Sequence, residues 1–193
     1  MAVIGLDIDG VLTDIHKFQL EKGEKFFKEK FQRDVVNRDA QDIDEIFECN
    51  EKESRAFWTK YLMKYSISEK ARDGAGAFTK ALHEKGDKIV IITSRVYTES
   101  DSVLGKTMRF IVEEWLKQNN IEYDEIVYCD EDKKEAIKLN NITVMVDLLC
   151  ILELIRANIH AKRQERVITN NGKKSEHTIK STTPAAVTGK FMQ

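Results

Sequence analysis

Residues 88–93 read KIVIIT, and Ile89, Val90, Ile91 and Ile92 follow one another with no polar residue between them. A strand built this way has no wet face. It must be covered on both sides, which is the condition of a parallel sheet between two helical layers. Similar apolar runs recur at Val3–Ile8, Ile126–Cys129 and Ile142–Val146. Stretches of helical periodicity separate them. The first is 75–85, with Ala75, Phe78 and Leu82 on one face and Gly86 just past the end. The second is 102–119, with Leu104, Met108, Ile111, Val112 and Trp115 on one stripe, and the third is 132–140. Strand and helix in alternation, joined by right-handed crossovers, predict a doubly wound α/β domain with a parallel sheet.

A long interruption follows the first strand. Residues 16–68 contain no comparable strand run. They are rich in Lys, Glu and Phe, with helical spacing in Phe18, Phe26, Phe27 and Phe31, then Ile43, Ile46 and Phe47, then Phe57, Trp58, Tyr61 and Leu62. Asp73-Gly74 punctuates the return to the core. The expected organisation is a core of residues 1–15 and 73–160, a helical cap of residues 16–72 and an atypical basic tail, 161–193. Residues 148–160 read as a further helix with Leu148, Ile151, Leu152 and Ile155 on its face. From Arg156 onward the net charge is +6, against −8 for the rest of the chain, and the tail holds the only proline, Pro184. Disorder or a loosely docked arm is expected after about residue 170.

Composition excludes several classes. A chain of 193 residues can bury one core and carry a modest insertion. A net charge of −2 gives no field that would hold a nucleic-acid polymer. Three scattered cysteines, Cys49, Cys129 and Cys150, make neither a disulfide framework nor a zinc spacing, and read as reduced buried thiols in a cytoplasmic protein. Asp7 comes too early for the apolar core of a signal peptide, and no apolar run approaches the roughly 20 residues of a membrane span.

In doubly wound sheets, ligands bind beyond the carboxyl ends of the strands. The polar residues of this sequence gather at those ends. The first strand runs into Asp7-Ile8-Asp9-Gly10 and then Asp14; the second ends in Thr93-Ser94-Arg95; the last ends in Asp147; Lys133 and Lys134 open the helix before it. Clustered carboxylates repel one another unless a cation neutralises them. Oxygen donors with no His or Cys set nearby favour magnesium over zinc. Alternation puts Asp7 and Asp9 on the same side of a strand, and Gly10 allows a tight turn away. One carboxylate is then placed to attack and another to shuttle a proton. A hydroxyl, backbone N–H groups and an ammonium complete a cradle for a phosphoryl group.

At these residues the sequence resembles the haloacid dehalogenase (HAD) superfamily, most of whose members are magnesium-dependent phosphatases. Asp7-Ile8-Asp9-Gly10-Val11-Leu12-Thr13-Asp14, Ile92-Thr93-Ser94, Lys133 and Val146-Asp147 look like its four ordered motifs, over roughly residues 1–147. The helical insertion and the ITSR form of the second motif look most like the 5'(3')-deoxyribonucleotidase-like group. The resemblance implies an HAD-like Rossmannoid core with an all-helical cap after the first strand. It also implies a magnesium-dependent phosphomonoester hydrolase, acting through an aspartyl-phosphate on nucleoside monophosphates. Asp7 would be the nucleophile. Asp9 would protonate the leaving oxygen and later activate water. The Asp7 side chain, the Asp9 backbone carbonyl and Asp147 would hold Mg2+. Thr93 and the Ser94 backbone would bind phosphate oxygens. Lys133 would offset the gathered negative charge, with Lys134 as its alternative.

Several readings stay open. Arg95 either grips the substrate phosphate or forms a structural ion pair. Asp147 either holds metal or caps the helix after it. His16 reads as a hinge or surface residue, and Asp14 as the group that orders the loop into the insertion. Phe18, Trp58 and Tyr61 either stack a nucleobase or form the core of a small bundle. The resemblance breaks after Asp147, where Leu148, Leu149, Ile151 and Leu152 stand in place of a second acid and Glu153 is displaced. Either magnesium binding is weakened there or a carboxylate such as Asp130 arrives from elsewhere. Three functional classes follow: a phosphatase on nucleotides or another small phosphorylated metabolite, a catalytically impaired binding protein of the same fold, and a phosphoryl-accepting receiver. Residue order disfavours the last, because a receiver's acceptor Asp ends a middle strand.

Overall fold

The structure, a computed structural model, describes residues 1–129 and 132–147, which belong to one compact unit, Met1–Leu152. The expected tail, the helix at 148–160, Cys150, Asp130 and Glu153 lie outside the described residues.

Four strands, β1 (Val3–Leu6), β2 (Lys88–Thr93), β3 (Glu125–Tyr128) and β4 (Val144–Val146), form one sheet in the order β3-β2-β1-β4. Every pairing is parallel, with Leu6 opposite Ile91 and Val146, and Thr93 opposite Tyr128. The apolar runs explain the layering. Alternate residues of each run point to opposite faces. Ile4, Leu6, Ile89 and Ile91 pack with Ala75 of helix α4 (Ala75–Glu84) and Val112, Trp115 and Leu116 of helix α5 (Val103–Gln118). Val90 and Ile92 pack on the other face with Ala136 and Ile137 of helix α6 (Lys134–Leu139). The chain runs β1, β2, β3 in one direction across the sheet and then returns to place β4 on the far side of β1. That reversal opens a crevice at the carboxyl ends of β1 and β4, where a ligand fits a doubly wound sheet.

The insertion is all-helical: α1 (Ile15–Phe31), α2 (Ile43–Phe47) and α3 (Glu51–Ser68). Phe18, Phe26, Phe27, Ile43, Ile46, Phe47, Phe57 and Tyr65 form a core separate from those of the sheet. The Phe27 and Phe47 rings stack with centroids 4.4 Å apart, and Phe47 can come that close only because residue 23 of α1 is glycine. A Cβ at Gly23 would lie 2.4 Å from the Phe47 ring. Both ends of the insertion are pinned to the core. Thr13 pairs with Ala71, and Trp115 donates its indole N–H to the Glu69 carbonyl at 2.6 Å. Asn50 starts α3 with a reciprocal capping box with Glu53.

Two helix faces differ from the sequence pattern. Phe78 of α4 and Leu104 of α5 are exposed, and the buried positions on α4 are Ala75 and Thr79. Thr79 is buried because its hydroxyl has partners: it donates to the Gly76 carbonyl and accepts from the Glu122 N–H. Cys49 and Cys129 are half-buried, less enclosed than expected; burial pushes the Cys49 thiol up to about 11. No helix among the described residues is long and apolar enough to cross a membrane.

Candidate active site

The first strand stops at Leu6, so Asp7 and Asp9 do not share a strand face as alternation predicts. Asp7 instead opens a tight turn, Ile8–Leu12, its Oδ1 accepting from the Ile8 N–H at 2.8 Å. Thr13 closes the turn with its N–H and hydroxyl on the Ile8 carbonyl. Gly10 supplies the left-handed φ of 84° that the turn needs. The Asp7 N–H still reaches the Val146 carbonyl at 3.0 Å, which anchors Asp7 at the crevice between β1 and β4. Asp14 caps α1 through the Lys17 N–H and pairs with Arg72, which also donates to the Gly10 and Thr13 carbonyls. Asp14 and Arg72 thus fix the loop, and neither faces the crevice carboxylates.

Lys133 reaches into the crevice from the start of α6. Its Nζ lies 2.6 Å from Asp7 Oδ2 and 2.9 Å from Asp147 Oδ2. Lys134 faces outward and pairs with Asp132. The alternative between the two lysines is therefore resolved in space: Lys133 joins the carboxylates. Burial raises the Asp7 carboxyl, and the charges of Asp9 and Asp147 add to it; Lys133 offsets only part, leaving Asp7 at about 6. Burial works against the Lys133 charge, but the two carboxylates outweigh it and hold its ammonium above the usual lysine range.

Asp9 sits in a different environment. Arg95 Nη2 is 2.5 Å from its Oδ1 and Arg95 Nε is 3.2 Å from its Oδ2. The Tyr65 hydroxyl donates to the same Oδ1 at 2.7 Å and lies 2.7 Å from Thr13 Oγ1, and the Arg95 guanidinium stacks 5.4 Å from the Tyr65 ring centroid. Burial pushes the Asp9 carboxyl up, but the Arg95 charge and the hydrogen bonds from Arg95 and Tyr65 outweigh it and hold it below the usual carboxylate range. Two neighbouring acids are thus split: Asp7 is hard to ionise and Asp9 easy. Separation of this kind divides acid–base roles between paired carboxylates.

Of the remaining candidates, Thr93 is fully buried at the end of β2, its hydroxyl accepting from the Arg95 N–H at 3.3 Å. Ser94 is half-buried next to it. Arg95 forms an ion pair with Asp9, which is the second of its two predicted readings. His16 bonds the Arg38 carbonyl within the insertion. Phe18 is buried and stacks on Trp58, and Tyr61 packs against Phe26 and Phe57, as members of the bundle core. Sequence reasoning missed Tyr65, Thr13 and Arg72. The signal for Tyr65 is its place on the Phe57–Tyr61 stripe, where a hydroxyl at the buried end must find a partner.

The donor set suits a hard divalent cation. Asp7 and Asp147 converge on the Lys133 ammonium, and among the described residues no imidazole or thiolate joins them. Magnesium keeps several waters and asks for only one or two protein carboxylates. Among the described residues no three His, Cys, Asp or Glu side chains close on a single point, so Asp7 and Asp147 are the side chains offered. Both Asp9 carboxylate oxygens are engaged by Arg95 and Tyr65, which leaves its backbone carbonyl as the group it could lend.

No protein-family model matches the chain, and neither does any curated protein. Solved structures do. A predicted phosphatase from Clostridium acetobutylicum is 20% identical, with 75% of this chain and 74% of that one covered and a TM-score of 0.47. A haloacid dehalogenase-like hydrolase from Streptococcus pneumoniae is 12% identical over 75% and 73%, with a TM-score of 0.46. A HAD-superfamily hydrolase of subfamily IA from Geobacter sulfurreducens is 14% identical over 74% and 73%, with a TM-score of 0.38.

Proposed function

We propose that this chain is a magnesium-dependent phosphomonoester hydrolase that works through an aspartyl-phosphate on Asp7, on small phosphorylated metabolites and nucleoside monophosphates in particular. One observation carries the reading: the Asp7 and Asp147 carboxylates meet at the Lys133 ammonium beside the topological switch point of the sheet. Two carboxylates drawn together at the carboxyl end of the sheet suit a cation and, with it, a phosphoryl group. Helices α1–α3 act as the cap over this crevice. Bound magnesium, held by Asp7 and Asp147, would neutralise charge on the phosphoryl oxygens.

The chain's own groups supply the rest. A carboxylate oxygen of Asp7 attacks phosphorus, the bond to the ester oxygen breaks, and that oxygen takes a proton from Asp9. Water, giving its proton to Asp9, then opens the aspartyl-phosphate and releases phosphate. Arg95 and Tyr65 hold Asp9 as a carboxylate, the form that accepts a proton from water. Delivering a proton to the leaving oxygen requires Asp9 to be protonated first, and a phosphoryl dianion beside it raises its proton affinity. Thr93 and Ser94 line the position of the phosphate oxygens, and Lys133 lowers the repulsion between Asp7 and the incoming anion.

Hydrolysis of p-nitrophenyl phosphate with and without magnesium, by the wild type and Asp7→Asn, tests this. Magnesium-dependent turnover that Asp7→Asn reduces to background is expected. Turnover unaffected by the substitution refutes the nucleophile. A binding protein of the same fold is the second reading, favoured by the direct contact of Lys133 with both carboxylates, where it competes with a cation. That reading requires no turnover from the wild type on any phosphomonoester.

A further inference from the structure

A cavity of about 300 Å3 opens beside Asp9, between the loop after β2 and helices α1, α2 and α3. This is the size of a small-ligand site. Its wall adjoins the carboxyl that would serve the leaving oxygen, so under the function proposed above it receives the part of the substrate that departs. Six lining residues set its chemistry: Asp9, Gln19, Asp42, Asp44, Trp58 and Arg95.

Gln19 is buried, with 3% of its surface exposed. Its Nε2 donates to the Gln41 carbonyl at 3.1 Å, and its Oε1 has no partner among the described residues. A buried acceptor left without a donor costs the fold on the order of 1–3 kcal/mol, a cost that a ligand donor removes. Arg95 Nη1 is likewise buried without a partner among the described residues. The Arg95 charge is already matched by Asp9. Asp42 and Asp44 stand at the rim, and neither forms an ion pair among the described residues. Asp42 precedes α2 without capping it. The wall therefore carries three carboxylates against one guanidinium, with Trp58 beside them.

We infer that this cavity admits a leaving group that has no negative charge of its own and presents an N–H or O–H donor to Gln19. Asp42 and Asp44 turn away leaving groups that bear a second anion. Uncharged nucleosides with an amino or hydroxyl donor meet the requirement, and so do amino alcohols. Carboxylated leaving groups do not.

Three phosphomonoesters separate the possibilities: cytidine 5'-monophosphate, ethanolamine phosphate and phosphoglycolate, each measured as kcat/KM. Phosphoglycolate is expected on the order of tenfold or more below the other two, the scale of like-charge repulsion near a protein surface. The double variant Asp42→Asn/Asp44→Asn narrows that gap about tenfold. Gln19→Leu lowers turnover of cytidine 5'-monophosphate relative to p-nitrophenyl phosphate, whose leaving group brings no donor in the ester. Phosphoglycolate hydrolysed as well as the others, or a ratio that the double variant leaves unchanged, overturns the inference. The double variant alters only exposed side chains, so this arm does not depend on how a change at buried Gln19 is tolerated. If none of the three is hydrolysed, calorimetric titration of each into Asp7→Asn reads the same ranking as affinities. Failure of the proposed chemistry is then distinct from failure of the charge selection.

Discussion

Asp7 costs the fold when it ionises. Its carboxyl stands at about 6 in the folded chain against an ordinary 3.8. A proton is therefore held more tightly folded than unfolded. Below pH 3.8 both states are protonated and the penalty is absent; it grows as pH rises toward 6 and is complete above that. At about 1.4 kcal/mol per pH unit the full penalty is roughly 3 kcal/mol. Asp7→Asn, which mimics the neutral acid, should stabilise the protein by about that amount at pH 7.5 in buffer with EDTA, and by almost nothing at pH 3.5. Urea unfolding at the two values checks this, and an equal effect at both would show that the penalty does not come from ionisation. A gain in stability together with a loss of turnover would mark a group kept for chemistry rather than for packing. Asp9, one turn away, is satisfied by Arg95 and Tyr65 and carries no such penalty.

At the scale of elements, the sheet was the most legible part of the chain. Ile89–Ile92 could not be anything but a strand covered on both faces, and Val3–Leu6, Glu125–Tyr128 and Val144–Val146 followed the same logic. Strand ends were less legible. Ile8 reads as a continuation of β1, but the Asp7 cap, the Gly10 backbone and the Thr13 bonds end the strand two residues earlier, at Leu6. Lys133, Asp7 and Asp147 could be gathered from the sequence because each stands at the carboxyl end of a strand or the start of a helix. Tyr65 and Gln19 could not, because they reach the site from the insertion, whose packing no periodicity fixes. Phe78 and Leu104 show the reverse error: helical spacing marks a face, and tertiary packing decides how far that face is covered. The insertion offers its own test at Gly23. Alanine there gains roughly 1 kcal/mol in helix propensity but drives a methyl into the Phe47 ring, at a typical overpacking cost of about 1–3 kcal/mol. A net loss of about 1 kcal/mol is expected, read as a lower urea midpoint at unchanged slope. A raised midpoint would mean that Phe47 has another place to go.

For the molecule as a whole, the proposed magnesium site would link stability to metal. A ligand that binds only the folded state at 100 times its dissociation constant adds about 2.7 kcal/mol, or roughly 5–10 °C in Tm for a chain of this size. Magnesium titrated in a thermal melt should raise Tm on this scale, and Asp147→Asn should abolish most of the rise. A rise that survives the substitution would place the ion elsewhere. One further consequence lies in the grip on Asp9. Arg95 comes from the loop after β2 and Tyr65 from α3, so one jaw belongs to the sheet and the other to the insertion. Swinging α3 outward to let a molecule pass would pull the phenol from the carboxylate and loosen its hold on the ionised state. The doorway and the proton would then move together, so that the acid is poised only while the door is shut.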